Sequence, residues 1–281
     1  MTARSVPSTD GITLAVHDLG GRGPELVYSH ATGFHGRVWL PLAARLADRY
    51  HGWGIDYRGH GDSTRPGGDT VDWRGYGEDC RAVLDALVLV HPFGLGHSKG
   101  GASLLMTEAD RPGTFAALAV YEPVIIPTGS GRSDPPSLSE GARRRRAEFA
   151  SYEAALANFS SKPPFSALDP AALEAYVRYG FAPTATGTVR LKCEPEHEAR
   201  TYEMGARHGT WGLLDRVTCP VLVMCGDPSD PGPAQGAAAI AERIPGGRLH
   251  VFDHLSHFGP LQDPAAVAAV VADFFAEVRH G

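Results

Sequence analysis

The chain has 281 residues, 43% hydrophobic and 21% charged, which is enough to bury a sizeable core and excludes a disordered or collagen-like chain. Its formal charge of −6, from 26 Lys and Arg against 32 Asp and Glu, argues against a nucleic-acid partner, because that affinity comes from clustered cations. Residues 1–7 hold no apolar leader core, and the longest uninterrupted apolar run, near 86–90, is too short to span a bilayer. The expectation is a cytoplasmic protein with no membrane association.

Along the chain, short apolar strand patterns at 12–17, 25–29, 52–56, 93–96, 116–121, 221–225 and 249–252 alternate with amphipathic segments at 38–49, 76–89, 99–109, 234–243 and 264–278. That rhythm predicts an α/β fold, a mostly parallel sheet flanked by helices. It stops between 127 and 209. There a Gly/Ser/Pro-rich stretch (128–139) leads into helical candidates at 140–159 and 170–179 and a polar segment through Leu191, Lys192 and Cys193 to Glu203, with no buried-strand pattern. The division is a core of 1–126 and 210–281 with a helical lid of 127–209 inserted after the strand at 116–121. Open α/β sheets bind ligands at the carboxyl ends of their strands, where such an insertion would sit.

Cys80, Cys193, Cys219 and Cys225 lack metal-ligand spacing. Cys219 and Cys225 fall on one strand, about 20 Å apart at ~3.3 Å per residue, too far to bridge. Four reduced thiols are expected. No metal, cofactor or nucleotide motif is visible.

The sharpest motif is Gly96-His97-Ser98-Lys99-Gly100-Gly101, a Gly-x-Ser-x-Gly pattern between an apolar strand and a helix. A serine on a tight strand-to-helix turn is held in a strained conformation, and flanking glycines let neighbouring backbone approach without clash. Its hydroxyl then meets the positive end of a helix, which favours developing negative charge. Helix capping alone would account for a serine here, but not for the glycines.

With Ser29-His30-Ala31-Thr32-Gly33-Phe34 after an early strand, Asp56-Tyr57-Arg58-Gly59-His60-Gly61-Asp62-Ser63 after the next, the serine turn, and His257 near the C-terminus, the chain resembles the α/β-hydrolase fold superfamily. The likeness is to its lid-bearing serine hydrolases of the esterase, lactonase and C–C hydrolase type. It implies Ser98 as nucleophile, His257 in the loop before the last helix as base, and an oxyanion hole from the backbone N–H groups of Thr32 and Lys99. His254 is the rival base. His30, His60 and His97 read as structural. The resemblance places the acid after the strand at 221–225, in Gly226-Asp227-Pro228-Ser229-Asp230, where Asp230 is the choice; Asp227 and Glu122, at the end of the strand at 116–121, are the alternatives.

The run Arg143, Arg144, Arg145 and Arg146 reads as a solvated lid surface, and the Lys99 side chain as running outward from its helix. Some of the aromatics Phe34, Trp39, Trp73, Tyr121, Phe165, Tyr176, Tyr179, Phe181, Tyr202 and Trp211 should line an acyl pocket. The expected activity is cofactor-independent hydrolysis of a small or medium apolar ester or lactone through an acyl-enzyme on Ser98, by a monomer or homodimer. The alternatives are a receptor of this fold that binds a small molecule, and a C–C hydrolase or acyltransferase on the same residues. A serine rather than a carboxylate at the turn argues against epoxide opening and dehalogenation.

Overall fold

The computed structural model describes residues 3–67, 71–127 and 136–280. In chain order its elements are β1 (Arg4–Pro7), β2 (Thr13–Gly21), β3 (Glu25–Ser29), α1 (Leu40–Leu46), β4 (His51–Asp56), α2 (Arg74–Ala86), β5 (Phe93–His97), α3 (Lys99–Asp110) and β6 (Ala117–Tyr121). There follow α4 (Pro136–Arg143), β7 (Glu148–Phe149), α5 (Tyr152–Ser160), α6 (Pro170–Gly180), β8 (Phe181–Pro183), β9 (Val189–Leu191) and α7 (Pro195–Met204). The chain closes with β10 (Val221–Cys225), α8 (Ala237–Arg243), β11 (Arg248–Val251), α9 (Gly259–Gln262) and α10 (Pro264–His280).

Eight strands form one sheet in the order β1-β2-β4-β3-β5-β6-β10-β11. Only β2 runs antiparallel to its neighbours; from β4 to β11 every pairing is parallel. Buried on both faces, the central strands are continuously apolar, and their two-residue period divides the side chains. Leu26, Tyr28, Leu95, Ala119 and Met224 join the core that contains Leu42 of α1 and Phe275 of α10. Val27, Ile55, Leu118, Val120 and Val223 join the core that contains Val83 of α2, Leu104 of α3 and Ile240 of α8. After β3 the chain steps to one side for β4 and returns to the other for β5, so the order reverses between β3 and β5. The crevice at such a reversal is where sheets of this kind place their sites.

The segment between β6 and β10 differs from its helical expectation. The helix expected over 140–159 is broken: α4 ends at Arg143, and β7 pairs with β9, which pairs with β8, in a small antiparallel sheet. The break is local chemistry, because the Ser151 hydroxyl accepts the Ala154 N–H and starts α5 afresh. Asp169 caps α6 in the same way, through the N–H groups of Ala171 and Ala172. The polar segment ending at Glu203 contains the unforeseen helix α7. Residues 128–135 of the Gly/Ser/Pro-rich stretch lie outside the described residues.

Cys80, Cys193, Cys219 and Cys225 are all free and buried. Among the described residues no helix is long and apolar enough to cross a membrane.

Candidate active site

The turn from β5 to α3 behaves as its sequence predicts. Ser98 sits at φ 55° and ψ −119°, a conformation few non-glycine residues adopt, and its carbonyl accepts the Ala102 N–H as α3 begins. The glycines are required by close approach. A Cβ on Gly96 would lie 2.7 Å from the Gly101 Cα, and one on Gly100 would lie 2.1 Å from the Ser29 carbonyl oxygen. Both distances are below any real contact, so bulkier residues would push the turn off the sheet.

His257 reaches this serine from the loop between β11 and α9. Its Nε2 lies 3.2 Å from Ser98 Oγ, placed to accept the hydroxyl proton, and its Nδ1 lies 2.6 Å from Glu122 Oε2. The loop is pinned from below: the His97 Nε2–H donates to the His257 carbonyl at 2.7 Å, and the Tyr121 hydroxyl donates to the Ser256 carbonyl at 2.8 Å. Gly259 leaves room for that tyrosine, since a Cβ there would lie 2.2 Å from its hydroxyl oxygen. His254 points elsewhere; it is exposed and meets Asp253 at 3.1 Å.

The carboxylate beside His257 is therefore Glu122 and not Asp230, the choice made from the sequence. Glu122 is 1% exposed, its N–H extends the β6–β10 pairing by donating to the Met224 carbonyl, and its Oε1 accepts the Gly226 N–H at 2.9 Å. Its φ of 44° turns the chain sharply at the end of β6 and aims the side chain at the histidine. Asp230 is exposed, in a loop where its N–H donates to the Asp227 carbonyl. Asp227 Oδ1 in turn accepts the Ser229 N–H at 2.8 Å, which holds its carboxylate below the usual range. The one-residue-longer turn that Asp230 needed is spent inside the loop. The motif offered no signal for Glu122 beyond its place at a strand end.

The two backbone donors expected at the oxyanion hole are not spent on bonds of their own helix or turn. Lys99 opens α3, so its N–H has no acceptor within the helix. Thr32 occupies the second place of a turn that Gly33, at φ 80°, completes and that the Phe34 N–H closes onto the Ala31 carbonyl, leaving the Thr32 N–H outside the turn's own bond. The other motif histidines hold loops. His30 donates through Nδ1 to the Ala31 carbonyl and accepts the Tyr57 N–H, and the His60 Nδ1–H donates to the Arg58 carbonyl. Burial keeps both well below the usual histidine range, hence neutral.

A cleft of about 300 Å³ lies against this group, lined by Glu122, His257, Phe258, Pro164 and the 227–234 loop. Ser98 is not among its lining residues and is 7% exposed. Phe34, Phe165, Tyr176 and Phe258 cluster beside His257, their ring centroids 4.8 to 6.4 Å apart. Phe34 and Tyr176 are buried, as are Trp39, Trp73, Tyr121 and Phe181, which lie in the core outside this cluster.

Two sequence readings of charged residues are corrected. Arg143, Arg144 and Arg146 are exposed, as a solvated surface requires, but Arg145 turns inward to pair with Glu198 and the Tyr176 hydroxyl. The Lys99 side chain does not run outward: it is fully buried, with its amine 4.1 Å from the ring centroids of both Tyr57 and Tyr76.

Residues 26–270 match the alpha/beta hydrolase family. The 2-(acetamidomethylene)succinate hydrolase of Mesorhizobium japonicum is 33% identical over 103 residues, 36% of this chain and 36% of that protein, so the chain matches about a third of that relative's length. The crystal structure of E-2-(acetamidomethylene)succinate hydrolase superposes with a TM-score of 0.79 at 21% identity, covering 98% of each chain. That of the esterase RhEst1 from Rhodococcus sp. ECU1013 gives 0.75 at 24% identity over 99% of this chain and 100% of that one. Such identities establish a shared fold. With the match extending from β3 into α10, the chain belongs to the alpha/beta hydrolase family.

Proposed function

We propose that the protein is a serine hydrolase that cleaves a small or medium ester or lactone with an apolar acyl group. The observation that carries this reading is the continuous relay from Ser98 Oγ through His257 to Glu122, at 3.2 and 2.6 Å, on a strained serine at the start of a helix. In it, the hydroxyl attacks the substrate carbonyl while His257 Nε2 takes its proton, and the oxyanion forms against the N–H groups of Lys99 and Thr32. The C–O bond then breaks as the leaving alcohol takes that proton. Water, deprotonated by the same histidine, releases the acid and restores Ser98. Glu122 fixes the imidazole's tautomer and stabilises the imidazolium.

The aromatic cluster of Phe34, Phe165, Tyr176 and Phe258 supports the apolar acyl group. In this reading residues 127–209 form the lid, because Phe165 and Tyr176 belong to that segment. A fluorophosphonate probe, followed by p-nitrophenyl esters of rising chain length, tests the proposal. Labelling of wild type that Ser98→Ala abolishes, with turnover peaking at a short or intermediate chain, is the expected outcome. A folded wild type that neither labels nor hydrolyses any ester would favour the small-molecule receptor.

A further inference from the structure

Among the described residues, the amine of Lys99 is one of six buried side-chain polar atoms without a hydrogen-bond partner. The side chain is fully buried and its Nζ has no hydrogen-bond partner. It lies between the rings of Tyr57 and Tyr76, 4.1 Å from each centroid, in a box of aromatic faces that attract a cation but accept no ordinary hydrogen bond. Burying an amine without a partner is costly, and a methionine of similar length would fill the same space without that cost. Nothing in the packing calls for nitrogen here. What distinguishes the position is its neighbour, because Lys99 follows Ser98 and its own backbone N–H opens α3.

We propose that Lys99 is a positioning residue for the hydrolytic step, its buried ammonium adding positive potential beneath the turn where the oxyanion develops. The inference rests on the serine-hydrolase reading above. A charge in a dry box acts with little screening, and an interaction with charge that appears only during attack lowers the barrier without tightening substrate binding. Ionised carboxylates also see the amine, Asp79 from α2 and Asp56 from the end of β4. Against them stand Arg58, His30, His60, and His197 of α7, while Cys193 lies just before that helix. Burial keeps His30 and His60 well below the usual range and lowers His197 to about 4, so none of the three carries the charge at neutral pH. Lys99 is the group in this cluster that changes charge near neutrality, since burial lowers its amine from 10.5 to about 7 against the pull of Asp79.

The experiment compares kcat and KM of wild type and Lys99→Met on p-nitrophenyl acetate across pH, with the rate of fluorophosphonate labelling measured alongside. The ratio of wild-type to Lys99→Met kcat is expected to fall about tenfold as pH rises through about 7 and the ammonium is lost, with KM the same in both, since the pH dependence of the base His257 is common to the two enzymes. Lys99→Met is expected to show the lower kcat below about 7 and to converge with wild type above it. Lys99→Gln, which keeps a polar but uncharged group, should behave as Lys99→Met does and carries the comparison if the methionine variant does not fold. A variant with wild-type kcat below about 7, or a ratio that stays constant across pH, would overturn the role of Lys99 while leaving the hydrolase reading intact. Failure of wild type itself to label or turn over would overturn both.

Discussion

Two neighbouring strands, β6 and β10, each end in acidic sequence, and only one delivers a carboxylate to the histidine. Glu122 follows β6 at once, so its backbone is held by the sheet and its side chain is buried with one oxygen on the Gly226 N–H and the other on His257. Asp227 and Asp230 follow β10 in a loop of prolines and glycines whose hydrogen bonds close on the loop itself. A carboxylate orients an imidazole only if it is itself oriented. The difference between the two regions is thus one of anchoring rather than of residue type, and the longer glutamate side chain spans from its own strand end what an aspartate would need a shaped loop to reach.

Ser98→Ala sets the floor of the comparison. If the three residues act as a unit, it lowers turnover on the order of 10⁴-fold or more and abolishes covalent labelling, with circular dichroism unchanged. His257→Ala falls to a similar level, whereas His254→Ala, removing an exposed side chain paired with Asp253, stays within about twofold. The reverse ranking in p-nitrophenyl acetate assays would move the base to the other histidine.

Next comes the anchored carboxylate. Glu122→Gln keeps the size of the side chain but presents an amide to His257 Nδ1, which favours the wrong tautomer, and the expected loss in kcat is about 10³- to 10⁴-fold with KM little altered. A loss below about tenfold would mean that burial and geometry at the end of β6 do not translate into a catalytic role.

How far these assignments were legible follows the same division. The turn at Ser98, seven of the eight strands of the sheet and the α/β architecture could be read because glycine spacing, short apolar runs and strand-to-helix order are local patterns, whereas the histidine loop was placed by the resemblance to the α/β-hydrolase fold and β1 was not foreseen. The acid was misassigned to Asp230 ahead of Asp227 and Glu122, because the choice depends on the φ of 44° at Glu122 and on which loop spends its carboxylates on its own backbone. The β7–β9–β8 sheet was missed because its strands are two or three residues long, too short to show a period. Lys99 was misdirected for a related reason: a lysine at a helix start reads as exposed until Tyr57, from the end of another strand, and Tyr76, from another helix, close over it.

Lys99 extends the contrast from a buried charge with partners to one without. Its amine is lowered to about 7 in the folded protein but titrates near 10.5 in the unfolded chain, so between those values the unfolded state holds a proton that the native state lacks. This group therefore makes wild type more stable as pH rises from about 7 to 10.5, and imposes its full penalty below about 7. Lys99→Met removes the penalty. Urea unfolding should show the variant more stable than wild type by on the order of a few kcal/mol at and below neutrality, the advantage shrinking toward pH 10.5. An advantage independent of pH would show that better packing, not the removed charge, accounts for it.

The smallest expected effect is the sharpest test of anchoring. Asp230→Asn changes an exposed carboxylate whose side chain holds nothing at the site, so kcat should stay within about twofold and the unfolding midpoint should barely move, since surface substitutions usually cost less than about 0.5 kcal/mol. Yet Asp230 lines the same cleft as Glu122 and His257. Combined with Glu122→Gln it asks whether a nearby, unanchored carboxylate can stand in when the anchored one is gone. If the double variant is no slower than Glu122→Gln alone, proximity without fixed orientation contributes nothing. If it is slower by tenfold or more, the β10 loop can swing to His257 once Glu122 is neutral, and the contrast between the two strand ends becomes one of preference between two usable positions.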